Sequence, residues 1–274
     1  MDVYKSEGHR KFPESERAGT IKEFSPDKEL PTERTLGVNF NVERDGFTFD
    51  VNLKSKSEDK LVTKRVMLSI AASLFDPLGF LAPVALVPKM IMQEMCRNKL
   101  GWDDEASETQ KEQWEKWLDE LPMLSNVCIH RCFKPDSNPE GLECELHYFA
   151  DASEVAYGAV CYLKTHSMDG EVRISFVIGK SRLAPIKLVT IPRLELCGAV
   201  LASRLHEIVT KELQFKIAKM YFWADSMTVL RYLRNTKSRF KTFVANRIAV
   251  IQDLANVDDW RHIPGELNPA DLGS

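Results

Sequence analysis

The sequence predicts an α/β protein in which a mixed five-stranded sheet flanked by helices follows a smaller, mainly helical subdomain carrying a β-hairpin. Three observations predict it. The second half runs through three strand-like segments in succession and then alternates helix with strand, the pattern of a mixed sheet with helices packed on it. The first half repeats apolar residues at helical spacing three times over. The chain has 274 residues, 44% of them hydrophobic, which is enough for about two domains at ~100–200 residues each.

Residues 1–34 are polar and contain Pro13, Pro26 and Pro31 without apolar periodicity, so a flexible lead-in is expected. The alternating runs Leu36-Gly37-Val38-Asn39-Phe40 and Phe47-Thr48-Phe49-Asp50-Val51 flank the turn signal Glu43-Arg44-Asp45-Gly46 and predict a hairpin. Thr63 is a candidate N-cap for a helix to Leu74, in which Val66, Ile70 and Leu74 share a face. Asp76-Pro77-Leu78-Gly79 breaks that helix. A second helix lies within Leu81 to Leu100, carrying Val87, Ile91 and Met95, and Pro83 and Pro88 imply that its regular part starts late. A third runs from about Ser107 to Leu121, and its Trp114 and Trp117 read as core. This subdomain, residues 35–135, offers no catalytic cluster.

Strands are expected over Cys144–Ala150, Ala156–Leu163 and Val172–Ile178. Thr190-Ile191-Pro192 opens a long helix to about Leu213, with Leu194, Leu201, Leu205 and Ile208 on one side. Met220–Ala224 is nearly all apolar, as in a strand buried on both faces. Ser226 can cap the helix that follows through Leu233. A further helix is expected from about Ser238 to Leu254, then a short strand Trp260–Ile263 and a final acidic element after Pro264-Gly265.

No run of 18 apolar residues or signal-like core occurs, so an intracellular protein, cytoplasmic or nuclear, with no membrane partner is expected. The six cysteines lack the dense spacing of a disulfide scaffold. Cys128 and Cys132 bracket His130, but further ligands for zinc are missing, and reduced buried thiols are expected. The net charge of −3 is unevenly spread: Lys180 to Val250 holds fourteen Lys and Arg against four acids. A basic stretch inside an acidic chain signals either a phosphate-facing surface or a solvated helical face.

Four acids stand at positions that draw attention. Asp151 ends a strand, where an Asp is also an ordinary turn former. Asp225 ends the run Tyr221-Phe222-Trp223-Ala224, at the carboxyl edge where open α/β sheets place their sites; it reads equally as a cap, although Ser226 already serves there. Glu195 sits among Leu194, Leu196 and Cys197 near a helix start, and a partly buried carboxylate needs a cation or donors. Asp271 follows the helix-start signal Asn268-Pro269.

As a set these residues resemble the ribonuclease H domain of reverse-transcribing elements. Phe149-Ala150-Asp151-Ala152-Ser153 with Tyr157-Gly158-Ala159-Val160 is similar to that family's first two strands. Ile191-Pro192-Arg193-Leu194-Glu195-Leu196 resembles its glutamate-bearing helix, and Trp223-Ala224-Asp225-Ser226 its fourth strand. Ile263-Pro264-Gly265 through Asn268-Pro269-Ala270-Asp271 resembles its last acidic motif. Earlier blocks, Arg34-Thr35-Leu36-Gly37, Thr63-Lys64-Arg65 and above all Phe75-Asp76-Pro77-Leu78-Gly79-Phe80-Leu81-Ala82-Pro83, resemble the region after the polymerase core in BEL/Pao-type retrotransposon polyproteins. The resemblance covers residues 34–274.

That resemblance implies a ribonuclease H-like fold over residues 141–274, behind a reverse transcriptase thumb- or connection-like segment at 35–135. It implies two Mg²⁺ or Mn²⁺ ions, with Asp151 bridging them, Glu195 and Asp225 on one and Asp271 on the other. All-oxygen donors suit such hard ions. Without ions, four carboxylates in one place are expected to be disordered or to share protons. The implied substrate is the RNA strand of an RNA–DNA hybrid, and the implied partners are a reverse transcriptase core and an integrase in a parent polyprotein. Lys180, Arg182, Arg193, Arg231, Arg234 and Lys241 are the candidate phosphate contacts.

The sequence also departs from the family. Glu266 stands where many members carry a histidine, and the chain stops soon after Asp271, truncating the closing helix. A catalytically inactive or truncated module that only binds nucleic acid or supports a polymerase is therefore the alternative. Val257-Asp258-Asp259 follows Asn256 where a polymerase motif has an aromatic residue, so no polymerase site is expected. Related segments carry the name of a Pao retrotransposon peptidase family, but no Asp-Thr/Ser-Gly triplet for an aspartic protease occurs.

Overall fold

The computed structural model describes residues 33–35, 38–41, 44–49, 61–133, 142–168, 170–214, 216–237 and 239–274. The expected lead-in therefore lies outside the described residues except at its end, where strand β1 (Glu33–Thr35) begins. Strands β2 (Val38–Asn41) and β3 (Gly46–Thr48) form the expected hairpin, with Phe40 opposite Phe47; its outer residues Leu36, Gly37, Asp50 and Val51 lie outside the described ones. The hairpin belongs to a larger sheet than expected, ordered β1-β2-β3-β4, because Cys128–His130 forms strand β4 against β3.

Helix α1 (Lys64–Ser73) starts where the Thr63 hydroxyl accepts from the Val66 N–H, and it buries Met67 and Ile70. Helix α3 (Glu108–Glu120) starts with a reciprocal cap between Ser107 and Gln110, a device that satisfies two otherwise orphaned N–H groups. Its Trp114 and Trp117 rings stack 4.9 Å apart in the core, and the Trp117 indole donates to the Val84 carbonyl. Helix α2 (Ala82–Arg97) corrects the expectation of a late start. Pro83 occupies its first turn, where a missing N–H costs nothing, and Pro88 is accommodated inside it. Its core residues are Leu86, Ile91 and Met95, while Val87 is exposed.

The second sheet has the order β7-β6-β5-β8-β9. Strands β5 (Glu143–Ala152), β6 (Ala156–His166) and β7 (Val172–Leu183) pair antiparallel; β8 (Ile217–Ala224) and β9 (Trp260–His262) join in parallel. Helix α4 (Ile191–Glu212) packs on β5 and β6, with α5 (Met227–Leu233) and α6 (Thr242–Leu254) beside it. Helix α6 starts later than expected because Lys241 is extended. The last expected helix is a single 3-10 turn, Asp271–Gly273.

Pairing dictates the core. Tyr148 is in register with Phe222, and Phe222 with Trp260, so the three buried rings stack at 4.9 and 5.0 Å, the spacing of neighbouring strands. Strand β8 is not buried on both faces, as its apolar run had suggested. Only Phe222 and Ala224 are buried, and Tyr221 and Trp223 are half-exposed on the opposite face, against His147 and Phe149. A run of aromatic residues alternates across a sheet as any residues do, and stacked rings hold the open face. Of the cysteines, Cys144 and Cys161 are buried, but Cys96 and Cys132 are exposed, contrary to the expectation of uniformly buried thiols.

The Asp76–Pro83 block joins the two parts. The Asp76 carboxylate accepts from the N–H groups of Gly79, Phe80 and Leu81 at 2.9, 2.9 and 2.6 Å, capping the entry to α2. Gly79 at φ +80° then lays the chain against edge strand β7, where Gly179 N–H donates to the Leu78 carbonyl at 2.8 Å. Phe80 packs on Phe176, and the Gln93 amide donates to the Ala184 carbonyl. A Cβ on Gly79 would meet the Gly179 carbonyl oxygen at 1.9 Å, whereas one on Gly170, also at positive φ, meets nothing within 4 Å. Gly79→Ala is therefore expected to cost clearly more than the ~1–2 kcal/mol of a left-handed alanine alone, and Gly170→Ala no more than that. Equal shifts in thermal midpoint for the two variants would show that the seam is not tight.

Candidate active site

The parallel pairing of β5 with β8 sets Ala150 opposite Ala224. Asp151 and Asp225, one residue further along each chain, therefore stand side by side at the carboxyl edge of the sheet. Asp151 is buried and Asp225 half-buried. Glu195, half-buried in the second turn of α4, faces the pair. The Ser226 hydroxyl donates to its Oε2 while accepting from Val229 N–H as the cap of α5. The helix comes this close because Gly198 leaves room: a Cβ there would lie 2.9 Å from the Asp151 carbonyl oxygen.

Asp225 feels both neighbours. The Asp225 pKa is raised from 3.8 to about 6, first by burial, then by the Asp151 charge, by a hydrogen bond to Asp151 and by the Glu195 charge. A carboxyl that keeps its proton is the response expected of close acids without a cation. Asp271 is placed differently. Its turn is anchored by buried Asn268, whose amide donates to the Ala150 carbonyl at 3.0 Å, and the Ser274 hydroxyl bonds the Asp151 carboxylate. The Asp271 residue itself is exposed and is not among the charges that shift Asp225. The structure thus gathers Asp151, Glu195 and Asp225 and leaves Asp271 beside them. Among the described residues, no three His, Cys, Asp or Glu side chains stand close enough to enclose a metal ion.

Of the candidate phosphate contacts, Lys180 and Arg182 are exposed on β7, Arg193 on the first turn of α4 and Lys241 just before α6. Arg231 and Arg234 lie on and just after α5, and Arg234 donates to the Trp260 carbonyl. Sequence reasoning missed Asn268, Gly198 and Ser274 as the residues that hold the carboxylates in place. Gly198 left one legible signal, a glycine inside an otherwise strong helix former.

The family described as the Pao retrotransposon-like RNaseH-like domain matches residues 63–226. The chain belongs to that family. Its match to the Pao retrotransposon-like domain contains Asp151, Glu195 and Asp225 and ends before Asp271. The domain is ribonuclease H-like in architecture, a mixed five-stranded sheet with helices against it.

Solved structures similar to this Pao-type chain include RNase H1 from the halophilic archaeon Halobacterium salinarum (16% identity, 47% of this chain and 90% of that one, TM-score 0.31). LC11-RNase H1 in complex with RNA/DNA hybrid gives 13% identity over 47% and 91% of the two chains, with a TM-score of 0.32. A foamy viral protease-reverse transcriptase in complex with double-stranded DNA gives 12% identity over 87% of this chain and 38% of that one, with a TM-score of 0.45. No curated protein matches. No described helix is long and apolar enough to cross a membrane.

The shifted carboxyl makes a signed prediction. Asp225 holds its proton more tightly folded than unfolded, so its contribution to stability is complete below about pH 3.8 and lost as pH rises through about 6. In chelator, Asp225→Asn is expected to raise the thermal midpoint by a few degrees above pH 6 and to match the parent near pH 3.5. A lower midpoint for the variant at pH 7 would contradict the cluster.

Proposed function

We propose that the chain is a metal-dependent nuclease module that hydrolyses the RNA strand of RNA–DNA hybrids. The observation that carries this reading is the register that sets Asp151 and Asp225 side by side at one sheet edge with Glu195 beside them, where Asp225 holds its proton to about 6. The donor set suits hard divalent ions: Asp225 hydrogen-bonded to Asp151, Glu195 near enough to act on Asp225 by its charge, and a proton on Asp225 that a cation would displace. Asp151, Glu195 and Asp225 would hold Mg²⁺ or Mn²⁺, with Asp271 as the fourth carboxylate on its anchored turn. Two such ions, when bound, supply activation of water and stabilisation of the leaving oxygen.

The chain's own residues do the rest. Ser226 fixes the direction of Glu195, and Asn268 and Ser274 pin the last turn to Asp151. Since the occupied site excludes the Asp225 proton, metal affinity rises with pH through about 6. Exposed Lys180, Arg182, Arg193, Arg231, Arg234 and Lys241 contribute phosphate contacts, and 2′-hydroxyls distinguish the RNA strand. The division into a connection-like segment at 35–135 and a nuclease domain at 141–274, the intracellular setting, and the reverse transcriptase core and integrase of a parent polyprotein as partners belong to the same proposal.

The exposed, separate Asp271 favours one second reading, a module that binds hybrid without cleaving it. A labelled hybrid incubated with Mg²⁺ decides between them. Cleavage is expected, reduced roughly 10²-fold or more in Asp151→Asn and Asp225→Asn, the scale of removing one preorganised electrostatic partner. Hybrid that stays intact yet binds parent and Asp151→Asn equally would establish the binding module instead.

A further inference from the structure

The open face of the sheet holds a histidine whose protonation its neighbours dictate. His147 lies on β5 in register with Tyr221 of β8, and its half-buried ring stacks on Tyr221 at 5.1 Å. Trp223, the next β8 residue on that face, leans across the strand pair with its plane within 10° of the imidazole. Its indole Nε1 donates to His147 Nδ1 at 3.1 Å. An indole nitrogen can only donate. Nδ1 is therefore the bare nitrogen, and the neutral ring carries its proton on Nε2.

The charges around the ring do not replace that bond. Among the described residues Nε2 has no hydrogen-bond partner, and Glu145 Oε2 stands 3.5 Å away. The Glu145 carboxylate already meets Lys164 at 3.4 Å, and His166 at 3.9 Å and Lys219 at 4.0 Å reach it too. The other ionisable groups of this face are Glu143 beside Lys219, Tyr162 in register on β6, Tyr221 itself and Arg261 of β9, which lies over the Tyr221 ring. Burial holds the imidazole below the usual histidine range; Glu145 opposes this, and the Lys164 and His166 charges add to it.

The bond spans the two strands that end in the aspartates. Trp223 stands two residues before Asp225, and His147 four before Asp151. Stacked rings tolerate sliding, whereas a hydrogen bond between one donor and one acceptor holds to a narrow distance and angle. A proton on Nδ1 would set two N–H groups against each other, so the bond exists only while the ring is neutral.

We propose that His147 is a positioning residue for the carboxylate pair: as a neutral acceptor it latches Trp223, and with it the end of β8, to β5, and a proton on Nδ1 opens the latch. The role rests on the nuclease reading only in what the carboxylates then hold. Nitrogen-15 NMR of the full chain in chelator reads the latch directly. At about pH 8 His147 is expected to carry its proton on Nε2, and in Trp223→Phe its protonation midpoint is expected to rise toward 6.5. As pH falls, the Trp223 indole resonance is expected to move with His147 protonation. In His147→Asn, whose oxygen can accept where Nδ1 did and takes no proton, that pH response is lost. Mn²⁺ affinity at about pH 8, measured by calorimetry, is expected to fall several-fold in His147→Phe and to recover in His147→Asn, although Asn fills the space less well. A proton on Nδ1, an unmoved midpoint in Trp223→Phe, or His147→Asn binding Mn²⁺ no better than His147→Phe would overturn the proposal. A parent that binds no Mn²⁺ would overturn the nuclease reading instead, and the metal-free spectra then decide the latch.

Discussion

The parallel register between β5 and β8 is the constraint on which the site depends. Ala150 opposite Ala224 leaves the next residue of each chain, both aspartates, at the same height on the same edge. A slip of one residue would turn every side chain of β8 to the other face. It would bury Trp223 in place of Phe222 and separate Asp225 from Asp151. The aromatic ladder Tyr148-Phe222-Trp260 and the half-exposed stack on the opposite face both penalise that slip. Core packing therefore specifies the carboxylate pair, and the pair needs no contact of its own to be placed.

What packing places, electrostatics opposes. Asp225, gathered beside Asp151 and Glu195 at a partly buried edge, holds its proton to about 6, which lowers stability at neutral pH. The remaining polar contacts are those that make the arrangement tolerable. Ser226 donates to Glu195, Ser274 to Asp151, and Asn268 ties the last turn to the strand carrying Asp151. Perturbed carboxyls of this kind cluster at functional sites in proteins generally.

The order of elements was legible because periodicity and caps are local. Thr63, Ser107 and Ser226 cap the helices that their positions announce. The three clustered acids were legible because each ends or opens an element of known direction. What sequence could not reveal was set by distant partners. Cys128–His130 became a strand only through pairing with β3. The open face of β8 depended on which side the helices cover, and composition does not encode that choice. Asp271 differed because an Asn-Pro start signal led into a 3-10 turn instead of a helix, leaving the carboxylate exposed.

The Asp76–Pro83 block has a mechanical part in the fold. It carries no catalytic group, yet each position has a mechanical duty. Asp76 caps the entry to α2, Gly79 supplies the left-handed turn and the space for the Gly179 carbonyl, and Phe80 presses on Phe176. Together they fix α2 against edge strand β7, which also covers backbone groups that an open edge would expose to other strands. Arg182 lies on that same strand. The helical part is thus held against the strand that carries Arg182, two strands away from β5 and its Asp151.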